Sequence, residues 1–348
     1  MPTIDANTLQ AFAEAILEAA GLGEEDARVT AECLILANLR GVDSHGVLRL
    51  IQYSDSLAAG EINPTPNVRV IQRRGATALV DADGGYGFRP SRLAMELAVE
   101  LAGEVGIGIV GVRNSHHFGM GAIYPLEAAA KGAIGYITTT SSPILAPPGG
   151  KQPVVGNNPI AWAVPRRAPN PPIVLDMALS QVAFGRIRLA AAEGRPIPLG
   201  WAYDSRGLPT TDAAEALRTG LLAPVGGHKG YGLSVISELL AGVMTGSPFG
   251  LESDAHSRRQ GGVGHLLIAI RPDFFLDLET FYDGVEELVA QIKAVPLAEG
   301  ANAVYLPGEI EWNTEQVRRR EGIPISDELG AKLSSLAQRL GVEVPAWS

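Results

Sequence analysis

The 348-residue sequence predicts an α/β protein in which helical segments at both chain ends bracket a strand-rich middle. Near the two ends, apolar residues recur with the 3.6-residue period of amphipathic helices, whereas the middle carries short apolar runs separated by glycine and proline. With 46% hydrophobic and 19% charged residues, the chain can bury one large core or two ordinary ones. We therefore expect a globular protein.

The first 60 residues predict a helical hairpin followed by a third helix. A helical pattern over residues 9–20 ends at a Gly-Leu-Gly sequence, and Glu24 begins the acidic first turn of a second helix. The third helix is predicted to begin near Asp43 or Ser44, since either side chain can cap it, and to end at Gly60.

The middle and the C-terminal part complete this α/β pattern. Residues 230–244 are apolar on nearly all sides, which predicts a helix buried in the centre of a domain. Helical patterns return in residues 281–292 and in residues 329–340, where Ser326 is the predicted cap. Six short β-type runs predict strands at Ala76–Val80, Ile107–Val112, Ile134–Thr139, Ile160–Val164, Ile173–Leu175 and His265–Ile270.

Gly106, Gly108 and Gly111 have the G-x-G-x-x-G spacing of a Rossmann dinucleotide-binding turn. That turn requires a strand before the glycines and a helix after them. Here residues 91–105 carry a helical pattern and residues 107–112 a β pattern, so the order is reversed. The acidic residue that would bind the ribose about 20 positions further on is also missing. The glycines therefore predict a helix end and a closely packed strand.

The composition excludes several classes of function. A net charge of −10 disfavours nucleic acid or an anionic membrane as a partner. The single cysteine, Cys33, excludes an internal disulfide, and the sequence contains neither a C-x-x-C nor an H-E-x-x-H motif, so no metal site is predicted. Without an export signal or an 18-residue apolar run, a cytoplasmic location is expected.

The DSHGVLR segment, residues 43–49, combines an imidazole and a guanidinium. On the predicted helix His45 and Arg49 share one face, and Tyr53 continues it. A proton donor beside a guanidinium that binds carboxylates through two hydrogen bonds suits the chemistry of a 2-oxo acid. The alternative is an ordinary surface helix start with Ser44 as its cap.

Asp176 ends the apolar run PIVLD and is the predicted partner that would stabilise a charged His45. A carboxylate at the end of a buried strand is costly unless it is paired or hydrogen-bonded. The alternative role for Asp176 is to cap the next helix.

Two further segments are candidates for ligand binding. His116 and His117 are adjacent, so on an extended chain one can face a substrate and the other a second ligand. Lys229 lies in the GGHKGYG turn at the start of a predicted helix, where a phosphate or carboxylate binds well. The alternative there is a tight turn whose lysine lies along the surface.

Seven blocks in this order resemble the type 2 malate/L-lactate dehydrogenase family, which includes ureidoglycolate, sulfolactate and diketogulonate oxidoreductases and a cyclic imino-acid reductase. The resemblance covers most of the chain. The blocks are RGVDSHGVLRL (40–50), VRNSHHFG (112–119), TTTSSPILAPPGG (138–150), GNNPIAWAVP (156–165), VLDMALS (174–180), IPLGWAYDSRGLPTTD (197–212) and GGHKGYGLSVISELLAGVMTG (226–246).

The resemblance implies a non-Rossmann α/β (α+β) fold and a homodimer. A large, mainly antiparallel or mixed sheet in residues 73–309 would bind NAD or NADP. Residues 1–72 and 310–348 would form a helical part that contributes to the substrate site and to dimerisation.

The resemblance also implies residue roles. His45 would donate a proton to the substrate carbonyl oxygen, with Ser44 and Asp176 in support, and His116 is the rival for this acid–base role. Arg49 and Tyr53 would bind the substrate, with Arg49 on its carboxylate. The implied cofactor contacts are His117, Phe118, Gly119, Ser141, Asp176, Met177, Ala178, His228, Lys229, Pro307, Gly308 and Glu309.

The leading hypothesis is an NAD(P)-dependent oxidoreductase that interconverts a small, malate- or lactate-like 2-hydroxy acid and its 2-oxo acid. Alternatives are a cyclic imino-acid reductase and a ureidoglycolate- or sulfolactate-type dehydrogenase. A catalytically silent nucleotide-binding protein and a metal-dependent hydrolase fit the residues less well. The sequence selects neither the substrate nor one of the two cofactors.

Overall fold

The computed structural model describes residues 2–256 and 261–347. Its helices are α1 (Ala6–Ala19), α2 (Glu24–Leu39), α3 (Arg49–Ala58), α4 (Phe88–Val105), α5 (Ile123–Ala130), α6 (Phe184–Ala192), α7 (Ala213–Thr219), α8 (His228–Glu238), α9 (Leu251–His256), α10 (Leu278–Lys293), α11 (Glu309–Glu321) and α12 (Asp327–Leu340). Its strands are β1 (Thr3–Ile4), β2 (Arg69–Arg74), β3 (Thr77–Asp81), β4 (Ile107–Ser115), β5 (Ile134–Thr139), β6 (Ile160–Val164), β7 (Ile173–Met177), β8 (Ala202–Tyr203), β9 (Pro209–Thr210), β10 (Val263–Ile270) and β11 (Ile323–Pro324).

A seven-stranded mixed sheet lies at the centre, in the order β2-β3-β4-β10-β5-β6-β7. Strands β3 and β4 run parallel, and the other five neighbouring pairs are antiparallel. Helix α4 precedes β4 and ends at Gly106, whose φ of 90° is the left-handed conformation of a helix C-cap. The predicted non-Rossmann, mainly antiparallel sheet is therefore confirmed.

All six predicted strands form, as β3, β4, β5, β6, β7 and β10. Strand β2 was not predicted, because its sequence RVIQRR lacks a clear apolar alternation and every residue in it is exposed. The two chain ends also meet, since β1 pairs with β11. This pairing brings the N-terminal helices and α11 to the same part of the molecule.

The predicted start of the third helix is wrong. Residues 43–45 form a 3-10 turn, and α3 begins only at Arg49. The reason is a set of long-range contacts to this turn, in which Asn38 and Arg318 hydrogen-bond the carboxylate of Asp43.

The prediction of a helix buried on all sides at residues 230–244 is also wrong. Helix α8 continues into a π-helical turn, Leu239–Val243, and its buried side is made of small and polar residues such as Ser234 and Glu238. Leu233 is 49% exposed and Ile236 is 53% exposed. The polar side is buried because it has specific partners. For example, the Ser234 hydroxyl donates to the Gly156 carbonyl oxygen at 2.6 Å.

The main hydrophobic core is shared by the helical ends and the sheet, since Leu17, Leu34, Val110 and Leu336 belong to one buried cluster. A second, smaller cluster is formed by buried apolar residues between Leu145 and Leu222 and was not predicted. The predicted division into residues 73–309 and two flanking helical segments therefore crosses a continuous core. None of the described helices has both the length and the apolar character needed to span a bilayer.

Candidate active site

The 3-10 turn Asp43–His45 presents His45 beside α3. Nδ1 of His45 lies 2.9 Å from the Ser44 hydroxyl, and Nε of Arg49 donates to the Ser44 carbonyl oxygen at 2.8 Å. The predicted proximity of His45 and Arg49 is therefore present, although the turn before the helix creates it and not a shared helical face. Ser44 contacts both side chains through separate atoms.

His117 reaches the same place from the end of β4. Its ring stacks on His45 with centroids 5.5 Å apart, and its Nδ1 lies 2.6 Å from the Tyr53 hydroxyl. The backbone N–H of Gly119 also donates to this nitrogen at 3.4 Å. Because a backbone N–H can only donate, Nδ1 is an acceptor and the neutral His117 ring carries its proton on Nε2.

Both imidazoles are neutral at pH 7. Burial lowers the pKa of His45 to about 4, and the positive charge of Arg49 adds to this effect. The pKa of His117 lies well below its usual value because of burial and the charges of Arg49, His45 and His265. Since positive charges here repel one another, protonation of either ring requires a nearby negative charge.

Arg49 keeps several donors for a ligand. Nε binds Ser44, as described, and Nη1 donates to Oε1 of Gln52 at 2.7 Å. A guanidinium has five N–H groups, so three on Nη1 and Nη2 remain without a partner in the described part of the chain. Two of these can bind a carboxylate end-on.

His116 lies outside this cluster. It is 4% exposed and is close enough to His265 to help lower the pKa of that buried residue. The two adjacent histidines therefore face different surroundings, as expected for an extended chain. The position beside His45 belongs to His117, a residue that the resemblance assigned to the cofactor.

Asp176 directs its carboxylate toward the segment that follows His117. Its Oδ2 accepts a hydrogen bond from the backbone N–H of Ala122, the N-cap of α5, at 2.7 Å. No hydrogen bond joins Asp176 to His45 within the described residues. Desolvation by the surrounding protein raises the pKa of Asp176 to about 6, and the Ala122 hydrogen bond and the Arg40 charge oppose this shift. Part of the residue is nevertheless exposed to solvent.

The chain after Asp176 connects several of the implied cofactor segments. The backbone N–H of Leu179 donates to the Asn157 carbonyl oxygen at 2.8 Å, and the Leu179 carbonyl oxygen accepts from the Val225 N–H at 2.9 Å. The hydroxyl of Ser141 donates to the Asn157 side chain at 2.8 Å. Ser141, the end of β7 and the turn before α8 are therefore neighbours.

Helix α8 begins with the exposed side chains of His228 and Lys229. Gly226 and Gly227 precede them with φ angles of 59° and 64°, and no side chain caps the helix. The backbone N–H groups of Lys229 and Gly230 donate to the carbonyl oxygens of Gly226 and Val225, at 3.4 and 3.0 Å, so the exposed Lys229 ammonium is the group that can attract an anion here. An anion site at this turn stays a prediction.

The LPGE turn lies against β7. The Pro307 carbonyl oxygen accepts from the Val174 N–H at 3.0 Å, and a Cβ on Gly308 would lie 2.6 Å from Cβ of Val174. The carboxylate of Glu309 is paired with the ammonium of Lys293. Glu309 therefore holds the turn in place, and Pro307 and Gly308 supply its close approach to the strand.

His265 is a buried site residue for which no role was predicted. Its Nδ1 lies 2.7 Å from the Thr139 hydroxyl and its Nε2 lies 2.8 Å from the Ser115 hydroxyl. Its ring stacks on Phe118, which also stacks on Tyr124. Phe118 is therefore buried at 3% exposure. A histidine in an apolar strand was the available signal for this support.

No group of three or more His, Cys, Asp or Glu side chains that could bind a metal ion occurs in residues 2–256 and 261–347. The site instead contains the neutral imidazoles of His45 and His117, the Tyr53 phenol and the Arg49 guanidinium. The segment that follows β7 is hydrogen-bonded to the turn that precedes α8.

The fold and its relatives together define an oxidoreductase of the dehydrogenase class. The chain belongs to the malate/L-lactate dehydrogenase family, whose sequence model matches residues 4–334. It is 38% identical over 347 residues to the malate dehydrogenase of Pyrococcus abyssi, covering 98% of this chain and 95% of that protein. It is also 38% identical over 331 residues to the L-sulfolactate dehydrogenase of Methanocaldococcus jannaschii, covering 94% of each. The family predicted from the sequence is confirmed.

Solved structures show the same architecture. The sulfolactate dehydrogenase from Methanocaldococcus jannaschii has a TM-score of 0.91 at 37% identity, with 99% of this chain and 98% of that chain covered. The delta1-piperideine-2-carboxylate reductase from Pseudomonas syringae has a TM-score of 0.88 at 34% identity, with 97% and 100% covered. Proteins that act on different substrates thus share this fold.

Proposed function

We propose that the protein is an NAD(P)-dependent oxidoreductase that interconverts a small 2-hydroxy acid and its 2-oxo acid. The observation that carries this proposal is the convergence of the stacked His45 and His117 rings with the Arg49 guanidinium. One part of such a site can bind a carboxylate while another exchanges a proton with the neighbouring oxygen. Malate, lactate and sulfolactate are 2-hydroxy acids of this kind.

Arg49 binds the substrate carboxylate in this proposal. Its three remaining N–H groups are held in a fixed orientation, because Ser44 and Gln52 anchor the other two. The carboxylate also cancels the positive charge that lowers the pKa of both rings, so substrate binding favours a protonated imidazole. Substrate binding and proton uptake are thus coupled.

His45 is the proposed acid–base residue. With Nδ1 beside the Ser44 hydroxyl, Nε2 is the nitrogen that can exchange a proton with the substrate oxygen. In the direction of hydroxy-acid oxidation, the neutral ring accepts the hydroxyl proton. In the direction of reduction, the ring gains a proton when the substrate carboxylate is bound and then donates it.

His117 is the second candidate for the same role. Its neutral form carries the proton on Nε2, and the Tyr53 hydroxyl stabilises it through Nδ1. His116 was the rival predicted from the resemblance, but its burial near His265 supports the acid–base role less well than the position of His117 does. Asp176 is proposed to orient the Gly119–Ala122 segment through its hydrogen bond to Ala122.

The residues along β7 and at the start of α8 fit NAD or NADP. The exposed ammonium of Lys229 suits a phosphate group, and the exposed glycines before it leave the turn accessible. Relatives named for each cofactor exist, an NAD⁺-linked ureidoglycolate dehydrogenase from Escherichia coli and an NADP⁺-linked sulfolactate dehydrogenase from Chromohalobacter salexigens. When bound, the nicotinamide supplies or accepts the hydride.

A cyclic imino acid is the second candidate substrate. The resemblance to the delta1-piperideine-2-carboxylate reductase favours it, because that protein shares the fold at 34% identity. A ring imine next to a carboxylate offers Arg49 the same anion. The two substrates differ in whether the imidazoles act on an oxygen or on a nitrogen.

We propose that the enzyme works as a homodimer in the cytoplasm. Leu233, Ile236, Leu239 and Val243 form an exposed apolar stripe along α8 and its π-helical turn, each between 45% and 53% exposed. Exposed apolar surfaces of this kind mark interaction sites. A second copy of the chain is the proposed partner. Size-exclusion chromatography that compares wild type with Ile236→Asp tests this proposal.

The buried free thiol of Cys33 is compatible with a reducing compartment.

The experiment that tests the proposed function is a substrate panel read at 340 nm with NADH and NADPH. Pyruvate, oxaloacetate, sulfopyruvate and piperideine-2-carboxylate are compared for wild type, His45→Ala, His117→Ala and His116→Ala. We expect one histidine variant to lose about 10²–10⁴-fold in kcat. Loss only in His116→Ala would contradict the site, and no turnover of any substrate would contradict the function.

Arg49→Lys tests the carboxylate site in the same panel. A lysine keeps the charge but loses the planar pair of donors, so KM for the oxo acid should rise sharply. The KM for the cofactor should stay within about twofold, because Arg49 lies on the substrate side in this proposal. An unchanged KM for every acid would count against the assigned role.

A further inference from the structure

A cluster of side chains holds the His45 turn from behind. Arg318 of α11 forms two hydrogen bonds to the carboxylate of Asp43, at 2.7 and 3.0 Å, and a third to the Asn38 carbonyl oxygen. Nδ2 of Asn38 donates to the same carboxylate at 2.6 Å. Asn38, Asp43 and Arg318 are called the turn clamp below.

The turn clamp also fixes the far side of the turn. Oδ1 of Asn38 accepts from the Val47 N–H at 2.8 Å, and Asn38 is 1% exposed. A Cβ on Gly46 would lie 2.2 Å from this oxygen, so the chain passes as closely as a glycine allows. One amide therefore ties the turn on both sides of Ser44 and His45.

We infer that Asn38, Asp43 and Arg318 are positioning residues for the acid–base and substrate-binding groups, an inference that rests on the proposed function. The 3-10 turn has few backbone hydrogen bonds of its own, namely His45 N–H to the Val42 carbonyl oxygen and the neighbouring Gly46 N–H to Asp43. The clamp supplies the missing constraints. Reaction rates fall about 10²-fold when a catalytic group moves by about 1 Å.

The clamp acts on the Arg49 side as well. The Ser44 carbonyl oxygen accepts from Nε of Arg49 at 2.8 Å, so a shift of the turn moves the guanidinium together with the His45 ring. The clamp therefore couples Arg318 on α11, 275 residues from Asp43 in the sequence, to both halves of the site.

The turn clamp is not needed merely to attach α11 to the rest of the protein. One turn earlier on the same helix, Glu315 accepts from Arg40 at 2.9 Å, and both side chains are buried. This ion pair already joins α11 to the end of α2. Arg318 adds a contact whose distinct consequence is the position of Asp43 and the turn.

The test compares Arg318→Met and Asp43→Asn with a matched control, Arg339→Met. Arg339 forms an arginine–aspartate pair with Asp55 through one hydrogen bond at 2.8 Å, more exposed than the Arg318 pair, that joins α12 to α3 away from the turn. We expect kcat to fall 10- to 100-fold in both clamp variants, with the cofactor KM within twofold of wild type. Arg339→Met should keep kcat within twofold, whatever its effect on Tm.

Two further measurements separate positioning from general destabilisation. In a His45→Ala background, Arg318→Met should reduce kcat by clearly less than it does in wild type, because the His45 ring is already missing and only the Arg49 side of the site can still be displaced. Arg318→Lys should recover part of the loss, since one ammonium can reach Asp43 without the paired geometry. Equal effects of Arg318→Met in both backgrounds would overturn the inference.

NMR of the histidine side chains distinguishes failure of the clamp from failure of the proposed function. In the ligand-free protein, Arg318→Met should change the His45 ring shifts and titration, while Arg339→Met should leave them as in wild type. Unchanged His45 signals with unchanged kcat would overturn the inference. If no oxo acid is turned over and the His45 signals still change, the proposed function fails and the positioning of His45 stands.

Discussion

The two histidines of the site are held in different ways. His117 follows a central strand, and its carbonyl oxygen accepts from the Gly87 N–H at 3.0 Å. The same segment includes Phe118, which is packed against the buried ring of His265. His45 lies instead on a short turn whose position depends on the side chain of Asn38 and on distant contacts.

This difference predicts different responses to substitution. A residue held by a strand and a packed ring moves only if the core moves, because interiors are close-packed. A residue held by side-chain hydrogen bonds can shift while the rest of the fold stays intact. Damage near His117 should therefore reduce stability and activity together, whereas damage near His45 should reduce activity first.

Gly87→Ala should have the largest effect. A Cβ at this position would lie 2.7 Å from the His116 carbonyl oxygen and from Cβ of Phe118, and 2.8 Å from Nε2 of His265. None of these atoms can move without disturbing the sheet, so we expect a loss of about 3 kcal/mol in the free energy of unfolding. Urea unfolding followed by circular dichroism measures it, together with kcat.

Gly103→Ala is the control inside α4, the helix whose N-cap is Gly87, because no atom lies within 4 Å of the added Cβ. It should raise stability by up to about 1 kcal/mol, as expected for glycine replaced by alanine inside a helix. Equal stability of the two variants would show that the His117 segment is not held by close packing.

Gly46→Ala is the corresponding change at the His45 turn. The added Cβ would meet the Asn38 amide and displace it from Val47 and Asp43. We expect kcat/KM for the oxo acid to fall about 100-fold, because the turn moves, and the free energy of unfolding to fall by about 1–3 kcal/mol, because a buried amide loses its partners. A kcat/KM within threefold of wild type would show that the turn keeps its position without the amide.

The same contrast explains what the sequence could predict. Strands such as β4 and β10 were predicted correctly because local apolar patterns determine them. The turn at His45 was mistaken for a helix start, since the Arg318 contact that shapes it comes from the other end of the chain. Local periodicity contains no information on such a partner.

Helix α8 shows the second limit of the sequence. Leu233, Val235 and Ile236 indicated burial, yet the fully buried residues are small or polar ones such as Ser234 and Glu238. Glu238 is the clearest case, because its carboxylate accepts from Asn158 at 2.5 Å and from the Gly250 N–H at 2.7 Å. From hydrophobicity alone, such polar residues are expected to be exposed. They can be buried here because hydrogen bonds compensate for the loss of water.

The buried His265 should make stability depend on pH. Burial lowers its pKa to about 3, whereas the unfolded chain has a histidine pKa of about 6.5. Between pH 6.5 and 3 the unfolded state therefore binds a proton that the folded state does not bind. The contribution of neutral His265 to the free energy of unfolding is fully present above pH 6.5 and is lost as the pH falls toward 3. One such group contributes a slope of about 1.4 kcal/mol per pH unit in this window.

His265→Gln isolates this contribution. The variant should be less stable than wild type at pH 7.5 by about 2 kcal/mol, because it disturbs the bonds to Ser115 and Thr139. Its stability should then fall less steeply than that of wild type between pH 6 and 4. Urea unfolding across this range measures both terms, and parallel pH profiles would assign the slope to other groups.

Tyr53→Phe should have the smallest effect and bears most directly on how the two histidines are joined. The Tyr53 hydroxyl is the contact between α3 and Nδ1 of His117, at 2.6 Å, while its ring stays packed against Tyr86 and Phe88. Phenylalanine keeps that packing, so Tm should change by only a few degrees. If His117 needs this bond to keep its proton on Nε2, kcat should fall up to about tenfold, with KM for the acid nearly unchanged. A rise in KM alone would instead mean that Tyr53 contacts the substrate itself, and the two histidine segments would then act without a link through α3.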